Sequence, residues 1–219
     1  MKRLTIFAII FVFLLIVIIP VILVFGIKYI PSGTQPSLGN TKKIYGEIVL
    51  SQSFISEKDN LSGIGVSIKN PNFANKKEAR VNIYDGEEKL IRTVALNGQN
   101  IADGKFVKIL FEPILDSKGK EFSWTFSSPE SVFEDALEIF LTNDPPSWSL
   151  DLKVSGQVED GGLSYVTLHK VASHTEVLEM ILSGWLNNLV QDKPFFITYS
   201  LLIVTSVGTL IYLSSTRKN

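Results

Sequence analysis

The chain has 219 residues and a formal net charge of −1, from 21 Lys and Arg against 22 Asp and Glu. That balance lacks the concentrated basic face a nucleic-acid partner requires. Cysteine is absent, which excludes a disulfide scaffold, thiolate metal sites and thiol catalysis.

Two apolar runs bracket the chain, Leu4 to Ile27 and Pro194 to Leu213, and neither carries an ionisable acid or base. Roughly 20 helical residues cross a bilayer core at about 1.5 Å rise each. Both runs are therefore expected as transmembrane helices. The first is too long for a cleaved signal peptide's apolar region, and no small-residue cleavage site follows it. It reads as an uncleaved signal anchor over residues 1–29, kinked at Pro20.

Lys2 and Arg3 at one end, and Arg217 and Lys218 at the other, favour both termini in the cytoplasm. Lys28, Lys42, Lys43 and Lys193 oppose this on the domain side. Long domains translocate largely regardless of charge, so the tails decide. The expected localisation is a two-pass cell-membrane protein with its central domain outside the cytoplasm.

Residues 30–43 (IPSGTQPSLGNTKK) show no strand or helix periodicity and read as a linker. From residue 44 to 172 the pattern is β. Ile64, Val66 and Ile68 alternate with Gly65 and Ser67, and Phe122, Trp124 and Phe126 alternate with Ser123 and Thr125. Leu150, Leu152 and Val154 alternate with Asp151 and Lys153. Period-2 runs separated by Asn-, Asp- and Gly-rich turns predict an antiparallel β-sandwich with one solvated face per sheet. A short helix is placed near Ser131 to Ala136.

The period changes over residues 173–193. Val177, Leu178, Ile181, Leu182, Trp185 and Leu189 form an apolar stripe at helical spacing. This amphipathic helix either lies at the bilayer interface or packs on the sandwich. The second span then occupies residues 194–214, with a cytoplasmic tail at 215–219. Thr205, Gly208 and Thr209 in that span are candidates for helix–helix packing, because small and hydroxyl residues allow close approach in lipid. The partner is the first span or another membrane protein.

Catalytic signatures are missing. No nucleophile elbow, phosphate-binding loop or dinucleotide fingerprint occurs. His169 and His174 are the only histidines, and surface positions explain both better than a metal site. Gly63-Ile64-Gly65 reads as close packing or a bulge within a strand. Glu112, Glu121 and Asp151 are acids that would form a hydrolytic pair only if folding converges them. Asp85, Asn97, Asp103, Asp116, Asn143 and Asp144 supply oxygen ligands of the kind Ca²⁺ takes, and turn chemistry accounts for the same residues. Asn60-Leu61-Ser62 matches a glycosylation sequon. Trp148, at a loop-to-strand edge beside Asn143 and Asp144, is the candidate ligand contact. Packing at the sandwich rim is the competing account of Trp148.

One stretch carries a resemblance. Phe54 to Asn70 reads FxxxxxxLSGIGVxIxN, a strand follows that ends at Asp85, and Phe106 to Phe126 reads FVKILFEPILDSKGKEFSWTF. The run Phe111 to Lys120 is the most recognisable part. The stretch Phe54 to Asn143 resembles a domain of bacterial cell-envelope membrane proteins that is often appended to polytopic glycosyltransferases. The resemblance implies a galactose-binding-like jelly roll, a fold shared with carbohydrate-binding modules. This chain lacks the polytopic catalytic part, so transferase activity does not carry over. The expected function is non-catalytic binding of envelope glycan or a protein partner at the bilayer. The alternatives are an accessory subunit of a membrane complex and a carbohydrate-active enzyme.

Overall fold

The computed structural model describes residues 26–194, 196–198, 200, 201, 205 and 208. The first span, Thr209 and most of the second span lie outside the described residues. The chain divides into two compact units, Lys28–Ala172 and a second made of Met1–Ile27 with Ser173–Asn219.

The Lys28–Ala172 unit is a sandwich of two sheets in which every strand pair is antiparallel. One sheet holds seven strands: β1 (Tyr29–Pro31), β2 (Thr41–Ile44), β4 (Leu61–Lys69), β7 (Lys105–Ile114), β9 (Leu137–Thr142), β12 (Gly162–Leu163) and β13 (Tyr165–Lys170). β4 is its centre. β7 runs along one edge of β4, while β13 and β9 share the other. The second sheet has the order β11-β10-β3-β8-β5-β6. Its strands are β3 (Val49–Ile55), β5 (Glu78–Asp85), β6 (Leu90–Asn97), β8 (Glu121–Ser127), β10 (Ser149–Val154) and β11 (Gln157–Glu159).

The alternation read in the sequence sets the core. Phe122, Trp124 and Phe126 point inward and are at most 3% exposed. They meet Ile64, Val66 and Ile68 of the facing sheet in one apolar cluster. Tyr165 is wedged among the rings, 5.4 Å from Trp124, 6.2 Å from Phe54 and 5.2 Å from Trp148, centroid to centroid. Burial pushes its hydroxyl above the usual tyrosine range. Gln52 joins the sheets: its amide donates to the Leu150 carbonyl and its oxygen accepts from the Leu163 amide.

Two expectations change, and a third, the short helix, is borne out as a 3₁₀ turn. Residues 30–43, expected as a linker, carry β1 and β2 and are bonded onto the seven-stranded sheet. Gln35 donates to the Ser164 carbonyl, and the Ser164 hydroxyl donates to the Pro36 carbonyl. β1 and β2 lack alternation because neighbouring edges, β13 and β9, supply their hydrogen bonds. His169 is buried rather than superficial, with Nε2 beside the Thr167 hydroxyl and Nδ1 beside the Asp59 carbonyl. The helix near Ser131 is a single 3₁₀ turn, Phe133–Asp135.

In the other unit, helix α1 (His174–Gln191) occupies the stretch where the helical stripe was read. Among the described residues no helix is long and apolar enough to cross a membrane.

Candidate functional site

The outward phase of the six-stranded sheet is polar because its inward phase is committed to the core. Ser53 of β3 pairs with Ser123 of β8, which pairs on its other side with Tyr84 of β5. One step along, Lys153, Ser51 and Thr125 form a second row. Each row of three crosses about 10 Å of sheet.

These residues, with Asp85, Glu88, Glu121 and Asp151, line a cleft of about 340 Å³. The turn after β5 supplies Asp85 and Glu88, the start of β8 supplies Glu121, and a β-bulge in β10 lies beside Asp151. The side chains of Ser51, Ser53, Ser123, Thr125 and Tyr84 make no hydrogen bond to other described residues. Four carboxylates face one ammonium, so the cleft carries net negative charge. It offers hydroxyl donors, carboxylate acceptors and one phenol ring, a set suited to a neutral or cationic polyhydroxylated ligand.

Trp148, Asn143 and Asp144 do not line this cleft. Trp148 is 8% exposed, its ring edge-on to Tyr165. The Trp148 carbonyl accepts from the Ile55 amide. Asn143 and Asp144 are exposed in the turn after β9 and do not line the cleft. In the second span, the Thr205 hydroxyl bonds the Leu201 carbonyl one turn back. A Cβ built on Gly208 would meet no atom within 4 Å among the described residues. Thr209 lies outside those residues.

Folding brings Glu121 and Asp151 into one cleft and leaves Glu112 elsewhere. Asp85 accepts from the Glu87 and Lys89 amides within its own turn, and Asp103 accepts from the Asn70 amide of a loop distant in sequence. No group of three or more metal-ligating side chains gathers among the described residues. The cleft residues had a usable signal in the sequence, the polar half of each alternating strand.

No family model matches this chain, and no curated protein matches it. Among solved structures, a carbohydrate-binding module of type CBM36, described in complex with calcium and xylotriose, is similar at 12% identity and a TM-score of 0.28. The likeness covers 65% of this chain and 99% of that one. The calcium and the sugar belong to that module.

Proposed function

We propose that this chain is a two-pass membrane protein of the cell envelope, and that its sandwich binds glycan in the cleft on its six-stranded sheet without cleaving it. The observation that carries the reading is the pair of polar rows. Their hydroxyls have no hydrogen-bond partner among the described residues and stand beside carboxylate acceptors on an open face. Sugar hydroxyls match that set as both donors and acceptors.

Membrane anchoring rests on the two apolar runs and on where the sandwich begins and ends. The Val171 amide donates to the Lys28 carbonyl at 3.0 Å, so entry and exit are adjacent. That adjacency is compatible with a two-pass hairpin. Both termini are then cytoplasmic and the sandwich is outside.

The full chain in detergent or nanodiscs, offered envelope polysaccharides and lipid-linked sugars with and without Ca²⁺, tests the glycan reading. Retention that falls in Tyr84→Ala and Ser123→Ala supports it. No retention by any of the sugars removes it. Release of new reducing ends from a bound oligosaccharide would instead assign Glu121 and Asp151 a hydrolytic role.

A second reading, an accessory subunit, rests on α1. Leu178 and Ile181 of its apolar stripe are 48% and 38% exposed among the described residues. A complex that co-purifies with the chain and dissociates in Leu178→Glu would favour it.

A further inference from the structure

We propose that one end of the sandwich, built by the 56–60 and 115–120 loops, rests on the lipid headgroups, with Leu115 entering their apolar boundary. The inference depends on the two-pass reading above.

Three backbone hydrogen bonds define this end. Val171 donates to Lys28, Lys170 to Asn60, and Asn60 to Leu115. The ends of β1, β13, β4 and β7 therefore stand side by side. At about 4.8 Å per strand, Leu115 lies within roughly 15 Å of Lys28. Lys28 directly follows Ile27, the last residue of the first apolar run, and β1 begins at Tyr29. With 30–43 folded onto the sheet, only Lys28 separates the first apolar run from β1 in sequence.

The two loops form one rigid platform. Buried Ser117 donates its hydroxyl to the Lys58 carbonyl and accepts from the Leu61 amide. The Lys118 amide donates to Asp59, and Gly119 donates to the Ser56 carbonyl. From this platform Leu115 projects, 66% exposed. Around it Lys28, Lys118, Lys120 and Lys170 are exposed and form no ion pair among the described residues. Glu57, Asp59 and Asp116 of the same loops are exposed as well, so the four lysines leave this end a small cationic excess. An exposed leucine on such an end fits the headgroup boundary, where it leaves water while ammonium groups meet phosphates.

The absence of cysteine makes single labels unambiguous. Leu115→Cys and Lys118→Cys place a fluorophore on this end. Gln99→Cys places it at the opposite end of β4, about 30 Å away for nine residues of strand. In proteoliposomes of the full chain with headgroup-quencher lipid, the two near labels should be quenched about threefold or more beyond the far one. Equal quenching at both ends, or stronger quenching at Gln99→Cys, overturns the inference and leaves the anchoring reading intact. Release of the chain by carbonate overturns both.

Discussion

The two sheets treat their outer faces in opposite ways. In the seven-stranded sheet the outside of β4 is closed by the sheet's own side chains. Phe106 lies directly on Gly65, and a Cβ on Gly63 would come 3.0 Å from Leu110 and 3.4 Å from Leu168. Eight consecutive residues of β4 are buried as a result. In the six-stranded sheet β8 alternates strictly, Phe122, Trp124 and Phe126 inside and Ser123 and Thr125 outside. One sheet uses both faces for packing. The other keeps a polar, solvent-facing side, and the cleft lies there.

The largest effect that would sharpen this contrast is on the inner face of β8. Trp124→Ala removes a fully buried ring and should lower stability by about 3–5 kcal/mol in urea titration. Its outward neighbour, Ser123→Ala, should stay within about 0.5 kcal/mol of the parent. Comparable losses for both would break the assignment of faces.

Next, Gly63→Ala puts a Cβ 2.7 Å from the Ile109 carbonyl oxygen, a backbone atom. The expected cost is about 1–3 kcal/mol. An unchanged denaturation midpoint would mean that the outer face of β4 is looser than the packing of Phe106 and Leu110 indicates. For the cleft, Tyr84→Ala with Ser123→Ala should reduce glycan retention about tenfold with thermal stability nearly unchanged. Loss of both together would mark Tyr84 as part of the core.

The smallest effect concerns pH. Burial alone would raise the Asp135 carboxyl, but hydrogen bonds from Lys77 and the Val132 amide outweigh it and hold it below the usual aspartate range. The native state thus binds this proton less readily than the unfolded chain does. Its contribution is present above the unfolded value near 3.8 and fades as pH falls through the lower, native one. Asp135 contacts Lys77 at 2.9 Å with both groups partly solvated, so the contribution is under about 1 kcal/mol. Asp135→Asn should flatten the acid limb of the stability curve below the ordinary aspartate value of 3.8, measured at low salt.

Much of this organisation was legible in the residues. The inward phase of β4 and β8 followed from alternation, the close packing at Gly63 and Gly65 from glycine within a strand, and α1 from the change of period. Trp148 was left between ligand contact and packing at the rim, because the direction of a ring at a strand edge depends on its neighbour, here Tyr165, which is distant in sequence; the ring packs. β1 and β2 were missed because YIP and TKKI gain their conformation from the edges of β13 and β9. His169 was taken as superficial for a related reason, since β1 pairs along that same edge of β13. The cleft was half legible. Its polar rows follow from alternation, whereas the convergence of the Asp85 turn with Glu121 and Asp151 depends on strand order, which alternation does not encode.

The hydrogen bond between Val171 and Lys28 has a practical consequence. A module whose two ends meet can be spliced into a surface hairpin of an unrelated host through a gap of one strand spacing, about 5 Å. Residues 28–172 are in this sense a cassette. Displayed on a soluble carrier, they would let the cleft's chemistry be assayed free of lipid.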